Sequence, residues 1–129
     1  ALGVFNGFLW ASGYDEGHVY RFDGNEWTDL GRVGEEENTQ TYAFASYLGR
    51  LQVATWRTGK VFAWQNNAWR DRGRLGEELE VMGMLTHNGS LYAGALPRAQ
   101  VYRYDGDGNR SRSLCHPQVN GRAEADKRG

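Results

Sequence analysis

The chain has 129 residues, a formal net charge of −1, and hydrophobic and charged fractions of 40% and 24%. That is long and apolar enough for one packed core, which excludes a disordered chain. The near-balanced charge leaves no footprint for nucleic acid or an acidic membrane surface, and no apolar run approaches a membrane span, so a soluble protein is expected. A glycine count of 18 and an aromatic fraction of 13% suit an all-β fold with many turns. Cys115 is the single cysteine, so no internal disulfide staples the fold and no redox compartment is indicated.

The apolar start ALGVFNGFLW has no basic leader before it and is read as structure, not as a signal peptide. Asn6-Gly7 favours the type I′ turn of a tight hairpin, so strands are expected on either side of it. A third strand follows in HVYRF. Asp23-Gly24 is expected to turn it into a fourth that carries Trp27. After an acidic loop the pattern restarts, with strands at about 41–47, 50–55, 60–64 and 68–72, rich in Val, aromatic and alternating residues. A third round has Asn88-Gly89 as its first hairpin turn and Asp105-Gly106 as its last. No stretch sustains an apolar period of about 3.6, so almost no helix is expected.

The rounds are copies of one unit. Residues 17–34, GHVYRFDGNEWTDLGRVG, align with residues 59–76, GKVFAWQNNAWRDRGRLG. Val19 falls on Val61, Tyr20 on Phe62, Phe22 on Trp64, Trp27 on Trp69 and Gly34 on Gly76, an offset of 42 (61 minus 19). The third copy begins AQVYRYDG with Val101 on Val61, an offset of 40 (101 minus 61). NGFLWASG, LGRLQVAT and NGSLYAGA align likewise, so that Leu9, Leu51 and Leu91 coincide. The third copy departs from the pattern after Gly108.

Four short strands repeating about every 40 residues are the signature of a β-propeller blade. The expected fold is therefore all-β: three four-stranded antiparallel blades over residues 1–114 (1–42, 43–82 and 83–114), then a polar tail over 115–129 that matches no repeat. The pairs Tyr20 with Phe22, Phe62 with Trp64 and Tyr102 with Tyr104 are spaced i, i+2. Each therefore points to one face of its blade and is read as inter-blade core.

The order of an aromatic strand, a turn, a Trp strand and then a strand pair closed by small residues resembles a degenerate kelch-type repeat. It is carried by VYRFDGNEWTDLGRV followed by YAFASYLGRLQVAT. The resemblance covers most of residues 1–108. It departs where kelch repeats carry a Gly pair, at Ser12-Gly13, Ala54-Thr55 and Gly94-Ala95. The wider comparison is with bacterial kelch-like propellers of unknown role. Complete propellers have roughly four to eight blades. An arc of three leaves an apolar sheet face bare at each end, which a homodimer closing a six-bladed ring would cover. The rival reading is a piece of a longer propeller.

In such an architecture the loops at about 14–18, 35–40, 56–59, 77–80 and 96–99 share one rim. The rim collects Glu35, Glu36, Glu37, Glu77, Glu78 and Glu80 with Tyr14, Asp15, His18, Trp56, Arg57 and Arg98. Loops on a rigid scaffold are where binding residues concentrate. The reading is a non-enzymatic binding or scaffold module that takes a sugar, a cation or a peptide. Its candidate contacts are Trp56, Arg57, Tyr14, His18, Glu37, Glu78 and Arg98; the plainer alternative is a ring of solvated loops. Trp56 leads because its equivalents, Tyr14 and Leu96, do not keep it as a repeated core position. Trp27 and Trp69 recur in register and are read as structural. Trp10, aligned with Gln52 and Tyr92, is expected to be half-buried.

Other chemistry is sparse. His18, His87 and His116 are far apart, and Asp105, Asp107 and Asn109 open a calcium-loop pattern that no closing Glu completes, so neither a metal nor a cofactor is expected. Cys115 beside His116 has no third residue to orient a dyad, and no catalytic residue is assigned. Asn88 and Asn109 each begin a glycosylation pattern at an expected turn. A carbohydrate-active enzyme using rim carboxylates, or a propeller fragment with no independent function, are the alternatives.

Overall fold

A computed structural model describes residues 1–14 and 16–104, and the backbone of one further strand. No helix occurs among the described residues. The chain runs through β1 (Leu2–Phe5), β2 (Phe8–Ser12), β3 (His18–Phe22), β4 (Trp27–Arg32), β5 (Gln40–Tyr47) and β6 (Arg50–Trp56). It continues through β7 (Lys60–Gln65), β8 (Ala68–Arg74), β9 (Glu80–His87), β10 (Ser90–Leu96), β11 (Gln100–Arg103) and β12 (Arg112–Cys115). Each run of four is an antiparallel meander. The first forms its own sheet; the second and third are joined into a larger curled sheet by the pair Trp56 and Glu80. The divisions read at 42/43 and 82/83 fall three residues inside β5 and β9.

The tight turns follow from their residues. Asn6-Gly7, Leu48-Gly49, Asn66-Asn67 and Asn88-Gly89 all hold both central residues at positive φ, as a type I′ hairpin requires. Leu48 is the misfit. It adopts φ 49° with a side chain 73% exposed, so nothing in the fold compensates its strained backbone. Asp23-Gly24 does not form the tight turn expected from its sequence. The loop is four residues long, and the Asp23 carboxylate accepts hydrogen bonds from the backbone N–H groups of Asn25 and Glu26 at 2.8 Å. These two bonds hold the carboxyl below the usual Asp range.

Two apolar clusters lie between the meanders. Between the first and second are Trp10, Val19, Val33, Leu51, Val53 and Phe62. Between the second and third are Ala54, Val61, Leu75, Val81, Ala93, Ala95 and Tyr102. Trp10 is 1% exposed, not half-buried as its variable alignment suggested. The second meander covers it, with the Trp64 ring 6.1 Å away edge-on, and its indole N–H donates to the Phe5 carbonyl at 3.0 Å. Trp69 lies against Trp64 and Trp27 against Phe22, at 4.8 and 4.9 Å, so the aromatic cross-strand pair does repeat. Its cover does not. Trp69 packs against the first of these clusters, whereas Trp27 is 52% exposed.

Successive meanders are clasped by backbone. Gly59 N–H donates to the Leu79 carbonyl, and Leu75 N–H donates to that of Gly59, at 3.0 and 2.9 Å. Gly17, Thr39 and Val33 make the same pair of bonds one repeat earlier. A Cβ on Gly59 would stand 2.1 Å from the Glu78 carbonyl oxygen, at a residue whose φ is +61°. Gly49 shares the positive φ, at +72°, but has nothing within 4 Å. Gly59→Ala should therefore cost about 3 kcal/mol or more of unfolding free energy and Gly49→Ala about 1 kcal/mol, measured by urea denaturation. Comparable losses at both sites would show that the close approach is not what requires glycine. At the neighbouring turn position, Leu48→Asn should stabilise by about 0.5–1 kcal/mol, because Asn tolerates the left-handed region that Leu48 occupies. An unchanged or lower melting temperature would refute the strain assigned to Leu48.

Candidate functional site

The loops read as a rim gather at one end of the meanders, joined by backbone hydrogen bonds from Gly17 to Thr39, Thr39 to Trp56, Gly59 to Leu79 and Leu79 to Leu96, and some of their charges are paired. Lys60 reaches Glu35 at 2.5 Å and Asp71 at 3.1 Å, Arg98 pairs with Glu77, and Arg32 donates to the Glu36 carbonyl. His18 Nδ1 lies 2.9 Å from Asp29, the position equivalent to that of Lys60 and Asp71 one repeat on. The His18 bond, with the Gly31 N–H, holds the Asp29 carboxyl below its usual range. The carboxylates Glu35 and Asp71 hold the Lys60 ammonium above its own.

Glu78, read as a rim carboxylate, is 0% exposed. One of its oxygens accepts the Arg98 backbone N–H at 2.9 Å, and the other is buried without a hydrogen bond. Asn38 occupies the same place one repeat earlier, where its side-chain Oδ1 accepts the Thr58 hydroxyl at 2.7 Å. Both residues tie an inter-meander loop to the following meander. Tyr14 and Glu37 are exposed, and Asp15, Asp105, Asp107, Asn109 and His116 lie outside the described residues. No group of three or more metal-ligating side chains occurs among the described residues.

What the fold brings together lies around Trp56. Gln40 of β5, Trp56 of β6 and Glu80 of β9 stand side by side in one row of the sheet. An open cleft beside this row is lined by Trp56, Leu79, Glu80, Leu96 and Pro97. The Arg57 guanidinium lies over the Trp56 ring, 4.9 Å from its centre. Behind the row, the Tyr42 hydroxyl donates to the Gln40 side-chain oxygen. Tyr42 falls at a register shift of β5 against β6, the irregularity by which a sheet re-aims one side chain. Burial, then the nearby Glu80 carboxylate, push its phenol up to about 12. Of this group, the sequence singled out Trp56 and Arg57 and placed Glu80 on the rim. It gave no signal for Gln40 or Tyr42, because a register shift is invisible without knowing which strands pair.

No protein-family model matches the chain, and no curated protein matches it.

Tyr42 and Lys60 bind their protons more tightly when folded. Their stabilisation is thus complete below pH about 10, the unfolded phenol's value, and is lost as pH rises through the folded values. Asp23 and Asp29 have lowered values, so their contribution is present above about pH 4 and is lost as pH falls further. The urea midpoint should be flat between these limits and fall beyond both. Glu80→Gln should bring the Tyr42 titration back toward 10, followed by phenolate absorbance with Tyr42→Phe as the reference. A titration indifferent to Glu80 would refute their contact.

Proposed function

We propose that the chain is an arc of a kelch-like β-propeller, one meander to a blade, and that it acts as a binding module without catalysis. Its ligand is a sugar, held in the cleft at the boundary of the second and third meanders. The observation that carries this reading is the row Gln40, Trp56 and Glu80 beside an open cleft. A flat indole offers an apolar platform for the C–H face of a sugar ring. Its neighbour Glu80, which also lines the cleft, supplies the anionic acceptor that hydroxyl groups need, and the Arg57 guanidinium stands over the same indole. The apolar side chains Leu79, Leu96 and Pro97 complete a wall of the mixed character usual in ligand pockets.

Hydrolysis of a glycosidic bond calls for two carboxyl groups flanking it. Glu80 is the one carboxylate among the residues lining the cleft, and Glu35 and Glu77 are engaged in ion pairs. This favours binding over catalysis. The roles first given to Tyr14, His18, Glu37 and Arg98 shrink accordingly, and Glu78 acts as a buried clasp of the loops.

The test is a titration with a panel of neutral mono- and disaccharides, followed by tryptophan fluorescence and NMR shifts, with tetramethylammonium as a cationic probe. A sugar should bind, and Trp56→Ala and Glu80→Gln should each weaken it at least tenfold, about 1.4 kcal/mol, with an unchanged circular dichroism spectrum. Binding of tetramethylammonium alone would overturn the sugar assignment. Sugar binding indifferent to both substitutions would overturn the site.

A further inference from the structure

Among the described residues two sheet faces are uncovered, and they are the two halves of a contact the chain already makes twice. In each meander, one face, here the front, carries the position of Leu51, Val53 and Phe62. The opposite face, the back, carries the position of Trp10. The front of the second meander covers the back of the first, burying Trp10, Leu51, Val53 and Phe62 together. The front of the third covers the back of the second, burying Ala54 and Val61 with Ala93 and Tyr102.

The first meander's front has no such cover. Leu9, Ala11, Tyr20 and Phe22 stand there in register, at the positions of Leu51, Val53, Phe62 and Trp64. Leu2 and Val4 beside them are 72% and 78% exposed. The third meander's back is equally bare among the described residues. Gly83, Gly94 and Val101 occupy the positions of Ala43, Ala54 and Val61. Ala54 is 0% exposed, whereas a Cβ on Gly83 or Gly94 would meet nothing within 4 Å. Leu85 and Met82 flank this apolar hollow and are 67% and 46% exposed.

The side-chain sizes complement one another. Where the second front meets the first back, Phe44 fills the space over Gly3, 3.2 Å from where a Cβ would stand. At the bare ends the sizes are exchanged, since Leu2 stands at the Phe44 position and Leu85 at the Gly3 position. Large-on-small becomes medium-on-medium, and the combined bulk stays similar. Tyr92, on the bare back at the Trp10 position, would likewise face Phe22, which stands at the Trp64 position.

We propose that these faces bind each other between two copies of the chain, the front of the first meander of one on the back of the third meander of the other, and that the two contacts close a ring of two chains. The occupant is a second copy because each bare face is the continuation of an interface built from this chain's own repeat. Front and back differ, so the contact is head-to-tail and is satisfied on both copies only when the rotation closes. The inference rests on reading the meanders as an arc and is independent of the ligand cleft.

The experiment is the solution mass of the full chain by light scattering, at two micromolar concentrations, for the natural sequence and for Leu2→Glu and Leu85→Lys. Both substituted side chains are exposed, so the variants should fold, as circular dichroism checks. The natural chain should have the mass of two copies, and each variant alone the mass of one. Mixing the two variants should restore the double mass. The unaltered front of the Leu85→Lys chain then meets the unaltered back of the Leu2→Glu chain, and the second contact brings opposite charges together. A natural chain of single mass overturns the proposal, as does a dimer that survives both substitutions. A mixture that stays at single mass overturns the head-to-tail arrangement.

Discussion

The structure depends on one close backbone approach, made twice. At Gly59 the chain leaving β6 passes so near the Glu78 carbonyl that no side chain fits between them, and the same holds where Gly17 meets the Asn38 carbonyl, 2.2 Å from its Cβ direction. Hydrogen bonds from Gly17 and Gly59 to Thr39 and Leu79 fix the depth of each approach. Each of these contacts ties a meander to the loop that opens the next. The cores lie between the same meanders: Trp10 packs edge-on to Trp64, and Val61 and Ala54 cluster with Tyr102 and Ala93. The cross-boundary ion pair of Lys60 with Glu35 decorates this arrangement. It is partly exposed, so its net contribution is small beside the apolar clusters.

Much of the strand pattern was legible because turn chemistry and repetition agree. Asn-Gly at 6–7 and 88–89 demands a type I′ geometry, and a second unit spaced like the first fixes where strands begin and end. The strands read at 50–55 and 60–64 are found at Arg50–Trp56 and Lys60–Gln65. What failed did so for physical reasons. The burial of Trp10 depends on the neighbouring sheet, and an alignment of Trp10, Gln52 and Tyr92 says nothing of that neighbour. The Asp23 loop was misread because its geometry comes from a carboxylate capping two N–H groups, which a dipeptide rule does not weigh.

The rim was legible as a place and illegible as a charge distribution. A run of glutamates reads as solvated, yet Glu78 sits where the preceding unit has Asn38, a position whose task is to accept a hydrogen bond from the next meander. The change from Asn38 to Glu78 is accompanied by the change from Phe62 to Tyr102, and the two sites resemble each other closely: Gly34 lies against Phe62 and Gly76 against Tyr102. Burial, then the charge of Glu78, raise the Tyr102 phenol. A polar side chain has thus been exchanged for an ionisable one inside a conserved geometry, which pattern reading by residue class assigns to the surface.

The pairing of Trp56 with Glu80 has a consequence for the cleft. The two residues belong to different meanders, and theirs is the backbone pair that joins the two into one sheet. The cleft they line is therefore a seam between two meanders, lined also by Leu79, Leu96 and Pro97. The cluster of Ala54, Val61, Ala93 and Tyr102 lies between the same two meanders. A substitution in that cluster therefore acts on the same boundary that the cleft occupies, at residues that do not line the cleft.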